Sequence, residues 1–552
     1  MPCVSSLRNT MIRVLSAAAA GLLAAFTALA VAELVAGALR PASGPVTVVG
    51  GAVIDRTPAG VKDFAIRTFG ENDKVALLLG ILVLLALFAV ALGLLALRHR
   101  RAGAAGVLVF GFVGAAAALS RPDTAGSADA LPSLTGAVAG AVVLYVLAGR
   151  VAPADSPADS RSDSRTECST ESPTPSVTES SGDDESAGGG RSRRRFLTAA
   201  ALTATAATGA GALGRFLSGR RGRDAAASRA ALTLPAPASP APAVPAGTEL
   251  RVPGIVPFIT PNRSFYRVDT ALVVPRIDAA AWRLRVHGKG IPRPRSYTLE
   301  DLLARPLIER DITLTCVSNE VGGPYTGNAR WLGVPLAGLL AECGVKPPSR
   351  GGGADQLVAR SVDGMTFGSP VEEVMDGRDA MLAVGMNGEP LPFDHGFPVR
   401  MLVPGLYGYV SACKWIEEIE LTTFAAYDPY WVRRSWARRA PIKTQSRIDT
   451  PRPFARPGTG TVMIAGVAWA QRRGITRVEV RIDNGPWRDA DLAAQDTVDT
   501  WRQWSCRWNA TPGGHTLTVR ATDGTGAVQS ERRAPTVPDG ASGWHSVFVT
   551  VA

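Results

Sequence analysis

Residues 75–97 read VALLLGILVLLALFAVALGLLAL, 23 residues without a charge. As a helix this run is about 35 Å long, enough to cross a bilayer. A buried core helix is the alternative, and its length argues against it. Three further apolar stretches lie near 13–39, 103–120 and 131–149. The last two are richer in Gly and Ala, the residues that let membrane helices pack closely. The fold therefore begins with a four-helix transmembrane region over residues 1–150. Its orientation follows from RHRR at 98–101, which joins the second and third spans in a very short loop. Arginine-rich short loops stay in the cytoplasm. The N-terminus is then inside, the 40–74 loop outside, and the chain returns to the cytoplasm at Arg150.

Residues 151–190 are mostly Ser, Asp, Glu, Pro and Gly. That composition cannot bury a core, so a disordered cytoplasmic linker is expected. SRRRFLT at 192–198 then fits a twin-arginine export pattern, and the segment that follows, to Gly214, is only mildly apolar. The twin-arginine motif and a fifth transmembrane segment together occupy 191–216. An ordinary fifth span with a basic flank is the alternative, and either way the chain crosses outward. An Ala/Pro linker over 217–248 follows. Cleavage near DAAAS (224–228) would release the rest of the chain. Twin-arginine export carries folded cargo, often loaded with a cofactor, so residues 249–552 are where a cofactor site is expected.

The net charge of +11 does not make this a nucleic-acid binder. The basic residues are dispersed or flank apolar runs, and no helix-turn-helix, zinc-finger or RNP pattern is present. The cysteines, Cys3, Cys168, Cys316, Cys343, Cys413 and Cys506, have no CxxC and no regular spacing, so neither a zinc cluster nor a disulfide framework follows. Cys316 is distinguished by its setting, DITLTCVSNEVGG, where a strand-like run ends at the thiol and a polar turn follows. A lone cysteine is commonly a small buried hydrophobe. At a strand end facing a turn it is also well placed as a soft metal ligand.

Around it lie TPNRSFYRVDTALVVP (260–275), GNARWLGVPLAGLL (327–340), AVGMNGEPLPFDHGFPVRMLVPGLYGYVSACKWIEEIEL (383–421) and YWVRRSWARRAPIKTQSRID (430–449). Together these stretches resemble the sulfite oxidase family of molybdenum enzymes over roughly residues 250–550. The resemblance implies an α+β molybdopterin domain (249–455) in which Cys316 is the metal ligand. It implies cofactor-binding roles for His395, Arg400 and Lys414, with Asn262, Phe265 and Tyr266 lining the pocket. A guanidinium offers phosphate a planar fork, and a lysine offers a point charge. His287 and Arg330 are weaker candidates, because a strand-end histidine bonded to backbone and a packing role for NARW account for them equally well. From about 456 short alternating strands separated by Gly/Asp turns indicate a β-sandwich. The resemblance makes this an immunoglobulin-like domain used for dimerisation. Its tryptophans are expected to be core or interface.

Other features depart from the family. The segment before KW, YGYVSACKW, lacks the arginine that sulfite oxidases place there, and Arg267 is displaced by one from the family's position, where Val268 stands. SVDGMTFGSP has Phe367 and Met365 but no tyrosine. Arg267 and Asp363 are the polar groups expected near the substrate. No haem is expected, because the spans carry no paired histidines and His99 stands alone at a span end. Electrons must then be exchanged with a partner protein or a quinone. The expectation is a multi-pass protein of the cytoplasmic membrane. Its catalytic domain would lie outside and carry molybdenum–molybdopterin, transferring an oxygen atom to or from a small substrate. Three alternatives stay open: a sulfoxide reductase of the same family, a metal-free tethered binding protein and a transporter with an appended sensor. The spans argue against the last, since Glu33 is their main internal charge and no repeat or broken-helix pair is visible.

Overall fold

Among the described residues, five helices are long and apolar enough to cross a membrane by length and composition, within Thr10–Ala38, Val75–Arg98, Arg100–Leu119, Ser127–Val151 and Arg194–Ala231. They belong to α1 (Pro2–Ala38), α3 (Asp73–Arg98), α4 (Arg100–Leu119), α5 (Leu131–Val151) and α6 (Ala187–Ala231) in a computed structural model. The structure describes residues 2–57, 61, 68–69, 73–121, 126–151 and 187–552. The chain divides into two units, Met1–Arg220 and Arg221–Ala552.

In the first unit the helices meet through small residues. A Cβ on Gly93 of α3 would strike the Ala17 carbonyl of α1. Such backbone approach is what Gly and Ala permit. Leu79, Val83, Leu87 and Phe112, by contrast, point outward and are more than half exposed. The 40–74 segment is partly helical, with α2 at Pro45–Arg56. Most of the expected linker, residues 152–186, lies outside the described residues.

The segment expected over 191–216 is longer in the structure. α6 already includes 187–190 and runs on to Ala231, so residues 217–231 are helix rather than linker. Their Ala- and Arg-rich sequence favours helix, and Pro235 bars its continuation. Beyond it the chain is extended but docked. Ser239 N donates to Leu307 O at 3.2 Å and Glu309 N donates to Ser239 O at 2.9 Å.

The second unit is sheet-rich. Its strands are β1 (Arg283–Gly288), β2 (Arg295–Thr298), β3 (Ile308–Thr315), β4 (Thr326–Pro335), β5 (Gln356–Ser361), β6 (Thr366–Pro370), β7 (Met381–Met386), β8 (Glu389–Pro390), β9 (Arg400–Leu402) and β10 (Ile416–Thr422). One sheet has the order β2-β1-β10-β5-β6, with β1 parallel to β10. The other has the order β3-β4-β7-β8, with β9 also on β7. Both face one core, in which Leu284, Leu357 and Ile419 of the first sheet join Ile312, Trp331, Leu382 and Met401 of the second. β7 is buried along its whole length, as a strand covered on both faces must be. Short helices follow β2 and β4, at Leu299–Leu303 and Leu336–Glu342.

The remaining strands are β11 (Gln445–Thr450), β12 (Gly460–Trp469), β13 (Ile475–Ile482), β14 (Arg488–Asp489), β15 (Asp491–Leu492), β16 (Arg502–Ala510), β17 (Gly513–Asp523) and β18 (His545–Val551). They form two antiparallel four-stranded sheets, β11-β12-β16-β15 and β14-β13-β17-β18. Ile464, Trp504, Val480, Val519 and Val549 lie between them in a second core. The sandwich thus starts at Gln445, about ten residues before the expected 456, because β11 pairs with β12. Trp504 and Trp508 are core, and Trp469 and Trp501 belong to the core of the preceding sheets.

β4 and β7 run close together at Gly333, where the ladder shifts register. A Cβ there would sit 2.5 Å from Leu382 O and 2.7 Å from the Cα of Ala383. Gly333→Ala is expected to force these strands apart and cost about 1–3 kcal/mol, read from the midpoint of chemical denaturation followed by tryptophan fluorescence.

Candidate cofactor and active site

β3 delivers Cys316 to the start of a tight turn. Cys316 N donates to Tyr325 O at 3.0 Å, Asn319 N to Cys316 O at 3.1 Å, and Tyr325 N to Asn319 Oδ1 at 2.8 Å. The thiol is buried, and burial pushes its pKa up. Hydrogen bonds from the Ser318 backbone and hydroxyl, and then the charge of Lys414, pull the other way without cancelling it. Left alone this thiol is protonated; a bound metal would deprotonate it.

The floor beside it is aromatic. Tyr266 stacks on Phe265 at 5.2 Å, and Phe265 meets Trp331 of β4 edge-on at 5.8 Å and His395 at 5.5 Å. Tyr325 lies 6.4 Å from Tyr266. Burial, and then the nearby Cys316, push the Tyr266 phenol up, so it remains a neutral hydroxyl. Tyr407, at the end of the loop after β9, is raised to about 12, mainly by burial and partly by Asp539 and Cys316.

Three cationic or potentially cationic groups converge on this floor. The Arg400 guanidinium lies 4.9 Å from the centre of the Trp331 ring and donates to His395 O at 3.2 Å. Its Nε is buried and has no partner among the described residues. Burial lowers its pKa to about 10. His395 donates Nε2–H to Asn262 O at 3.0 Å; burial and then Arg400 push it down to about 4, so the ring is neutral. Lys414 donates to Asp269 Oδ2 at 2.7 Å and to Asp394 O at 3.2 Å, and burial holds it at about 8. The next residue, Trp415, has φ of 51°, a left-handed conformation that is unusual for a bulky side chain. Its ring lies 4.6 Å from Lys414 Nζ, and its Nε1 donates to Phe393 O. Such strain gathers where a neighbouring side chain is held in a working position.

Arg267 bridges Asp269 at 2.9 Å and Asp394 at 3.0 Å on the rim. Asp363 is pushed up by burial; Asp269 adds to the shift and Lys414 opposes it. Cys316, Phe265, Tyr266, His395, Arg400, Lys414, Arg267 and Asp363 are therefore one neighbourhood. Asn262 takes part through its carbonyl, while its side chain bonds Glu389 and Met386 O.

His287 and Arg330 are placed elsewhere. His287 sits on β1 and pairs with Glu418 of β10 at 2.6 Å, where Arg360 also binds. Arg330 makes a two-pronged bond to the buried Asp311, at 2.9 and 2.7 Å. Each side chain is committed to a carboxylate on the neighbouring strand. Asp269, Trp331, Trp415, Tyr325, Ser318 and Tyr407 joined the site unannounced. All but Asp269 and Tyr407 flank a residue named from the sequence or lie in its turn.

No group of three or more His, Cys, Asp or Glu side chains is arranged to cage a bare metal among the described residues. One thiol beside a cationic, aromatic cradle suits a metal that brings its own further ligands on an anionic organic group. The orphaned Arg400 Nε is a donor awaiting such a group.

Residues 271–431 match the family described as oxidoreductase molybdopterin binding domain. The mitochondrial sulfite oxidase of Mus musculus is 31% identical over 342 residues, covering 53% of this chain and 62% of that protein. The sulfite oxidase of Gallus gallus is 30% identical over 325 residues, covering 50% of this chain and 69% of that protein. Among solved structures, the sulfane dehydrogenase SoxCD from Paracoccus pantotrophus is similar at 27% identity and a TM-score of 0.47, over 53% of this chain and 81% of that chain.

A histidine held neutral has a pH signature. Between its unfolded value of 6.5 and its folded value of about 4, the unfolded state binds the proton and the folded state does not. Stability is therefore intact above pH 6.5 and is lost as pH falls through 4, by about 3 kcal/mol. His395→Gln should flatten that share of a denaturation-versus-pH curve. A comparable acid-side loss should remain from His545, which burial also depresses to about 4.

Proposed function

Because this chain belongs to the sulfite oxidase family of molybdopterin oxidoreductases, we propose that it is a membrane-anchored enzyme moving an oxygen atom to or from a small substrate outside the cytoplasmic membrane. The observation that carries this reading is the single buried thiol of Cys316 facing the cradle of Arg400, Lys414 and His395. Molybdenum–molybdopterin, when bound, supplies the two-electron redox and oxygen-transfer chemistry. The protein's own residues do the rest. Cys316 ligates the metal. Arg400 and Lys414 neutralise the cofactor's anionic parts, and His395 stays uncharged and offers its second ring nitrogen. The aromatic floor excludes water, which strengthens each of these charge interactions.

A reductive direction, as in a sulfoxide reductase, is favoured by one feature of the rim. Arg267 is already neutralised by Asp269 and Asp394, and Asp363 adds a third carboxyl. That is a poor reception for an oxyanion such as sulfite. The redox partner is a second protein or a quinone, since no haem is expected in this chain. The C-terminal sandwich is read as immunoglobulin-like and as the site of homodimerisation.

Membrane anchoring is supported by the five apolar helices and by the apolar side chains on their outer faces. Replacing Arg193 and Arg194, the arginine pair that precedes the variable position before Phe196-Leu197, with Lys should strand the second unit in the cytoplasm. It would then resist protease added to spheroplasts, whereas the native protein should be cut.

Elemental analysis of the protein from a molybdopterin-producing host should find about one molybdenum per chain. Cys316→Ser should change the ligation seen by X-ray absorption. A well-folded preparation without molybdenum would remove the enzyme reading and favour a tethered binding protein.

A further inference from the structure

β3 is an edge strand. β4 satisfies one side of it, and nothing in its own sheet satisfies the other. Backbone groups on a buried edge need partners, because leaving them unpaired costs as much as a lost hydrogen bond. At the start of the strand the partner is Ser239 of the docked tether. At the end that carries Cys316, the partners come from the C-terminal sandwich. Thr313 N donates to Asp499 O at 2.9 Å. Gln471, fully buried just after β12, donates Nε2 to Thr313 O at 3.0 Å and to Thr315 Oγ1 at 3.4 Å. Trp501 N donates to the Thr313 hydroxyl at 2.7 Å. Thr315 in turn bonds Thr326 at 3.2 Å across the mouth of the turn.

We propose that Gln471 is a positioning residue for Cys316, so that the sandwich sets the placement of the metal-ligating thiol in addition to any role in assembly. The side chain acts through Thr313 and Thr315, the latter being the residue directly before Cys316. A donor is needed at this point. Gln471→Met keeps the volume but leaves Thr313 O without a partner, and Gln471→Glu sets a carboxylate against that carbonyl. Either change removes the side-chain donor that ties Thr313 and Thr315 to the sandwich while the sandwich core remains intact.

This inference rests on Cys316 being the ligand, and two arms keep the two ideas separable. The first arm uses the full-length apoprotein, made without molybdopterin, and follows alkylation of Cys316 by iodoacetamide with peptide mapping. Gln471→Met should speed it about tenfold, the loss of one buried hydrogen bond expressed as a ratio. The second arm uses the holoprotein. Gln471→Met should alter the Mo(V) electron-paramagnetic-resonance signal at unchanged molybdenum content. Val480→Ala, a cavity in the second core away from β3, serves as the control: it should lower stability and leave both readouts alone.

Alkylation and spectrum both at wild-type values in Gln471→Met would overturn the proposal. So would equal changes in Val480→Ala, which would reduce the effect to general loosening. If the wild type holds no molybdenum, the ligand reading fails, and the alkylation arm alone still decides whether Gln471 positions the thiol. Should Gln471→Met not fold, Thr315→Val removes the second of its two acceptors and is judged by the same two readouts.

Discussion

The edge of β3 that its own sheet leaves unpaired governs much of the second unit. A strand that ends in the key thiol must be rigid, yet it lies at the border of its sheet. Three separate parts of the chain close that border. The tether after α6 pairs at Ser239, Asp499 pairs at Thr313, and the buried amide of Gln471 covers the strand's end. The turn after Cys316 is held from outside as well, since Arg447 of β11 donates to Gly323 O at 2.9 Å. The sheet domain and the sandwich therefore share bonds at the site, and domain boundaries drawn from composition miss this sharing.

The pocket itself is an electrostatic compromise. A guanidinium, an ammonium and an imidazole are gathered in a dry, aromatic place, and burial depresses the pKa of all three. Concentrating cations out of water is costly unless an anion joins them. Part of that anion is supplied by Asp269 beside Lys414. Among the described residues Arg400 meets the His395 carbonyl and the face of Trp331, and its Nε–H is buried without a partner. The strained Trp415 and the neutral His395 are further signs of a site organised around a guest.

The tether contributes to the same region. Arg229, near the end of α6, donates to Leu391 O at 2.8 Å, Pro390 O at 2.6 Å and Glu389 at 3.1 Å. Glu389 also receives the Asn262 amide, and the Asn262 carbonyl holds His395. Leu232 and Leu234 pack on the main core. A stretch that composition alone marks as a loose spacer is thus partly built into the fold.

The sequence by itself determined the elements whose signal is local. An uncharged 23-residue run and alternating strands between Gly/Asp turns follow from side-chain chemistry at short range. Motif resemblance also drew His395, Arg400 and Lys414 together with Cys316; DHGFPVR and CKW lie close together in the chain, while Cys316 was linked to them by the resemblance alone. What required tertiary structure was direction and partnership. His287 and Arg330 had plausible identities, but β1 and β4 turn them toward Glu418 and Asp311, and a side chain can serve only one such partner well. Asp269, Trp331 and Gln471 act through neighbours 145, 69 and 158 residues away, namely Lys414, Arg400 and Thr313. A one-dimensional pattern reports which groups are present. The free energy of burying a charge or a backbone carbonyl depends on what faces it, and only the folded chain decides that.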